Sequence, residues 1–108
     1  MIDKVDPERL LLLRVSLTDD RILGLTGLLQ QQLADLRPDD PGLLKTLHRL
    51  IGSAETLGFR GVAAPLRSLE ARAGQQIPVD DALAALVLGA TNLEAAMRTA
   101  LHDGGSKR

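Results

Sequence analysis

The residues best able to do chemistry in this chain are two histidines, His48 and His102, and no cysteine accompanies them. A metal-dependent hydrolase needs three or more clustered ligands. Two histidines on different segments, without a thiolate, do not supply that set. The sequence also lacks a P-loop pattern and a cluster of carboxylates for magnesium. A single imidazole can still act as a nucleophile, because an exposed ring is largely unprotonated at neutral pH.

The surroundings of His48 favour that role. Leu43, Leu47, Leu50, Ala54 and Leu57 recur at intervals of three and four, the period of a helix with one buried face. At about 100° per residue, His48 points roughly 140° away from this stripe and Gly52 about 180°. Lys45 and Glu55 share the outer face, and Leu44 and Ile51 fall on its flanks at about 80–100°. The imidazole is therefore expected to project outward beside a residue that cannot shield it. A mid-helix glycine costs about 1 kcal/mol relative to alanine. Either Gly52 is a tolerated surface residue, or another protein must approach the ring closely. In the second case a side chain four residues after His48 would stand in the way, Leu44 and Ile51 would offer the partner an apolar rim, and Glu55 would join Gly52 in the docking surface.

Five helical segments can position this residue. Asp6–Pro7 caps a short helix to about Val15 carrying Leu10 to Leu13. Thr18–Asp19–Asp20 opens a longer one with Ile22, Leu25, Leu29, Leu33 and Leu36 inward, stopped by Pro38. Gly24 and Gly27 within it read as points of close packing. Asp40–Pro41 starts the helix of His48, and Gly58 ends it. Phe59–Arg60–Gly61 reads as a tight connection into a helix bearing Val62, Leu66, Leu69 and Ala73. Pro65 fits that helix only in its first turn, and Gly74 and Pro78 end it. Val79–Asp80–Asp81 opens one last helix with the stripe Leu83, Leu86, Ala90, Leu93, Met97 and Ala100. Four long amphipathic helices with short loops predict an all-α, up-down antiparallel four-helix bundle with a short extra N-terminal helix. The 108 residues fit one domain, with residues 1–5 and 103–108 expected as frayed ends.

The central hairpin turns near Phe59 and Arg60, which sets the region of Glu70 at the height of His48. Glu70 either hydrogen-bonds the imidazole and fixes its tautomer or is an ordinary solvated carboxylate. His102 reads as a C-terminal residue of the last helix, favourable there when protonated.

The run from His48 to Gly58 resembles the phosphorylation motif of histidine phosphotransfer (HPt) domains: His48, Leu50, Gly52, Ser53, Leu57 and Gly58 match in place, and Leu69–Glu70 extends the similarity. Two departures stand out. The lysine usual three residues after the histidine is Ile51, with Lys45 or Arg49 as possible substitutes, and Pro65 replaces an apolar helical position. The resemblance implies a phosphocarrier rather than an enzyme. His48 would accept a phosphoryl group from a receiver aspartate or a kinase and pass it to another receiver aspartate. The partners implied are receiver domains of response regulators or hybrid sensor kinases. No cofactor is implied on this chain; magnesium is expected on the receiver. A chain beginning at Met1 suggests a separate shuttle protein.

Composition narrows the alternatives. Net charge is −1 and the one aromatic residue is Phe59, which disfavours nucleic-acid binding and excludes base-stacking platforms. The longest apolar run, Leu10 to Leu13, is far below the ~20 residues of a membrane span, and no signal-peptide pattern is visible. A cytoplasmic location is expected. The rival reading is a helical binding module that is never phosphorylated and that inhibits or scaffolds a signalling partner.

Overall fold

The computed structural model describes residues 4–106 and contains six helices, with no strand among the described residues: α1 (Pro7–Ser16), α2 (Asp19–Ala34), α3 (Leu43–Leu57), α4 (Arg60–Gly74), α5 (Asp80–Gly89) and α6 (Leu93–Ser106). The all-α expectation is met. Contacts close a ring in which α2 packs on α3, α3 on α4, α4 on α5 and α6 back on α2, the arrangement of an up-down bundle. The α3–α4 contact is the most extensive, and α1 lies against α3 and α6.

Several boundaries follow the local grammar. The Asp6 carboxylate accepts from the Glu8 N–H at the start of α1, and the Thr18 hydroxyl accepts from the Arg21 N–H at the start of α2. The hairpin carrying the site is closed at Gly58, which has a φ of 88°. The Phe59 N–H reaches back to the Ala54 carbonyl at 2.8 Å, a bond that closes a helix on a left-handed residue. A β-carbon at Gly58 would also meet the Arg9 side chain at 3.3 Å. The Asp6 N–H donates to the Gly58 carbonyl at 2.8 Å, which ties the entry of α1 to the same turn.

Other expectations are corrected. Helix α3 begins at Leu43 and not at Asp40–Pro41, because the Asp40 carboxylate accepts from the Gly42 N–H at 2.9 Å and builds a turn instead. Arg60 and Gly61 belong to α4, so Pro65 stands inside the helix, beyond its first turn. An interior proline costs about 3 kcal/mol. Burial of Val62, Leu66 and Leu69, at roughly 1.5–3 kcal/mol each, outweighs it. At the far end the left-handed residue is Gln76, with a φ of 60°, followed by a 2.8 Å bond from the Ile77 N–H to the Arg72 carbonyl.

The single last helix is two. Its stripe stays buried at Leu83, Leu86, Ala90, Leu93 and Met97, but the helix breaks between Gly89 and Leu93. There Gly89 weakens the helix and the Thr91 hydroxyl donates to the Leu88 carbonyl. The freed Glu94 N–H at the start of α6 donates to the side-chain oxygen of Gln30 on α2 at 2.9 Å. Residues 103–106, expected to fray, continue α6; residues 1–3 and 107–108 lie outside the described residues. On α2, Ile22, Leu29 and Leu33 are buried, but Leu25 is exposed and its neighbour Thr26 fills the core, its hydroxyl donating to the Ile22 carbonyl. Gly24 does not mark close packing, since open space surrounds its β-carbon position, whereas Gly27 faces α6, where a β-carbon would be in ordinary contact with the Glu94 carboxylate at 3.7 Å.

Candidate phosphotransfer site

The inward stripe of α3 is buried throughout: Leu43, Leu47, Leu50, Ala54 and Leu57 are all within the core. That burial fixes the rotation of the helix and turns His48 outward, with its side chain 81% exposed. Glu70 of α4 stands opposite. Its Oε2 lies 3.0 Å from His48 Nδ1, the geometry in which Nδ1–H donates to the carboxylate. Of the two readings of Glu70, the structure gives the hydrogen-bonded one. The ring is thereby held at one nitrogen, and Nε2 is left for solvent or a partner. Nothing lies within 4 Å of where a β-carbon of Gly52 would be, so the space beside the ring is open.

The remaining site candidates divide. Leu44, Lys45 and Arg49 are exposed, and Leu44 extends an apolar surface from one turn before the imidazole. Ile51 does not. Expected on an exposed rim, it is 7% exposed and belongs to the core cluster, because α4 packs against that flank of α3. Glu55 is half-buried and is paired with Arg67 of α4, so it is not a free carboxylate awaiting a partner. His102 lies on α6, exposed.

Two features were missed in the sequence. On the α2 side, Leu25, Leu28, Gln32, Arg49, Gly52 and Thr56 are among the residues that line a groove of about 390 Å³ between α2 and α3. Leu25 and Leu28 are exposed apolar residues, and the available signal was Leu28, which falls off the Ile22–Leu29–Leu33 stripe. The second is Arg67, which lies one helical turn before Glu70 and carries its charge to the same face.

A family model for the Hpt domain matches residues 9–101, which covers all but the ends of the chain. The chain belongs to the Hpt domain family. Neither a curated protein nor a solved structure matches it. Hpt domains serve histidine phosphotransfer in phosphorelay signalling, as relay modules that interact with receiver domains of two-component systems and not as enzymes in the usual sense. In this Hpt domain, no described helix is long and apolar enough to cross a membrane.

The Glu70 contact has a direct readout. Replacing Glu70 by alanine is expected to release the ring from the Nδ1–H tautomer and leave the fold unchanged. Imidazole ¹⁵N shifts check this. An unaltered tautomer ratio in the variant would mean that the carboxylate does not orient the ring.

Proposed function

We propose that this Hpt domain carries a phosphoryl group on Nε2 of His48, taken from a receiver aspartate or a kinase and delivered to another receiver aspartate. The observation that carries the reading is the exposed imidazole, tethered through Nδ1 to Glu70 and flanked by the bare Gly52. The Nε2 lone pair attacks phosphorus, the N–P bond forms, and the acyl P–O bond of the aspartyl phosphate breaks. The electron pair of that bond leaves with the aspartate carboxylate. The ring gains positive charge as it attacks, and the Glu70 carboxylate facing Nδ1–H stabilises that charge. The reverse sequence returns the phosphoryl group to a second receiver.

Phosphoryl transfer depends chiefly on alignment and on neutralising charge around the moving group. The metal ion for that purpose is expected on the receiver. Among the described residues of this chain, no group of three or more histidine, aspartate or glutamate side chains could hold one. The groove between α2 and α3 begins beside Gly52 and offers Leu25 and Leu28 to a docking partner. Together with Leu44 it gives the modest apolar surface that suits a transient signalling contact. Lys45 and Arg49, within a turn of His48, add positive potential that steers an acidic receiver pocket toward the ring.

Incubation with a panel of phosphorylated receiver domains tests the reading. At least one receiver is expected to lose its phosphoryl group to this chain as an acid-labile, base-stable adduct. A panel that never labels the chain, under conditions where receivers bind it, would leave the non-phosphorylated binding module as the correct description.

A further inference from the structure

Toward the start of α3 the surface around His48 runs into a second groove. Leu44 stands four residues before His48, so the two share one face, about 6 Å apart along the axis. Its side chain leans toward the start of the helix, where it lines a groove of about 360 Å³ between the α2–α3 and α4–α5 connections. On α4, Ala73, one turn after Glu70, lines the same groove. The two helices that hold the imidazole and its carboxylate therefore both lead into it. A protein seated on His48 covers Leu44, and Leu44 is a wall of the groove.

The groove is apolar and preformed. Pro38, Pro41 and Pro78 line it together with Ile77, and Leu44 and Ile77 remain 45% and 43% exposed. Proline fixes φ, and hydrogen bonds pin both connections. The Gly42 N–H donates to the Asp40 carboxylate at 2.9 Å, and the Ile77 N–H donates to the Arg72 carbonyl at 2.8 Å. Such a surface loses little conformational freedom when it is filled. Its charge is of one sign. Among the described residues that line it, Asp40 and Asp80 alone are charged, and neither is in an ion pair. Beside His48 the sign reverses, at the exposed Lys45 and Arg49.

We propose that this groove is a second contact for the docked receiver, taking from it one apolar side chain with a lysine or arginine beside it. The occupant follows from the shared wall at Leu44 and from the two opposite charges. A receiver whose acidic pocket faces Lys45 and Arg49 must set a cation against Asp40 and Asp80, because a carboxylate there would be repelled. The groove thereby selects among receivers that all carry an acidic pocket, and it fixes the direction in which one lies across α3 and α4. This rests on the carrier reading above and adds no covalent step to it.

The test titrates the full chain, labelled at its methyl groups, with each unphosphorylated receiver that binds it. The Ile77 methyl signals are expected to shift together with those of Leu44. Ile77→Ser should weaken receiver binding about tenfold, the scale of one partly exposed apolar side chain lost from a contact. Asp80→Lys should slow association about threefold at low salt, and the difference should vanish at high salt. Labelling of His48 by phosphoramidate should be unchanged in both variants. Asp80 is exposed at the start of α5, so its variant decides the matter even if Ile77→Ser folds poorly. Receivers that bind both variants as they bind the wild type, with the Ile77 signals unmoved, overturn the proposal and leave the carrier reading standing. A wild-type chain that dimerises on its own, and is monomeric as Ile77→Ser, also overturns it, since a second copy then fills the groove. A wild-type chain that forms no phosphohistidine, from phosphoramidate or from receivers, is the separate failure that removes both.

Discussion

His48→Gln is expected to abolish acid-labile phosphoryl label while leaving the bundle folded. Complete loss is the prediction, because a side-chain amide is no nucleophile toward phosphorus at neutral pH and His102 lies on a different helix, α6. Little stability should go with it. The imidazole is 81% exposed and its partner is a part-exposed carboxylate, so the change falls in the range of surface substitutions, about 0.5 kcal/mol. Glutamine also keeps an N–H that can face Glu70. Thermal unfolding of the variant should coincide with the wild type within a few degrees. His102→Gln is the matched control and should label normally. Label that survives in His48→Gln and disappears in His102→Gln would move the acceptor to α6 and remove the meaning of the Glu70 contact.

What could be read from sequence here was whatever depends on one helix at a time. The buried stripe of α3 set the rotation that sends His48 outward, and the 3.6-residue period is enough to deduce it. The caps at Asp6 and Thr18 and the left-handed turn at Gly58 are also local chemistry. Equal spacing from that turn then placed Glu70 opposite His48. The errors lie where two helices compete for one residue. Ile51 was placed on a flank by its angle, but the flank is where α4 packs, and the pattern of one helix does not reveal the bulk of its neighbour. Leu25 and Thr26 exchange roles on α2 because a hydroxyl bonded to the Ile22 carbonyl is tolerated in the core. The break at Gly89 to Asn92 keeps the apolar stripe intact, so periodicity alone could not show it. The groove beside Gly52 and the pairing of Arg67 with Glu55 both arise between helices, and the sequence marks the first only through Leu28, which lies off its helix's apolar stripe.

Gly52 separates function from stability more sharply than any other position. Its β-carbon site is empty to 4 Å, it is exposed, and it lies inside an α-helix. Alanine there should therefore raise stability by about 1 kcal/mol. Glutamine should do nearly as well, since it too is a good helix former with room to extend into solvent. Transfer should respond in the opposite sense. A residue four places after His48 leans back over the ring and occupies the space through which the receiver's phosphoryl group must come into line with Nε2. A misplacement of about 1 Å costs on the order of 100-fold in rate. Gly52→Gln is thus expected to slow phosphoryl transfer from a cognate receiver by about 100-fold, and Gly52→Ala by less, while both variants melt at higher temperature than the wild type. Labelling by phosphoramidate, a donor small enough to avoid the added side chain, should fall far less, because the nucleophile itself is untouched. If both variants gained stability and kept full transfer from receivers, the glycine would be a neutral surface residue and the partner would approach from elsewhere.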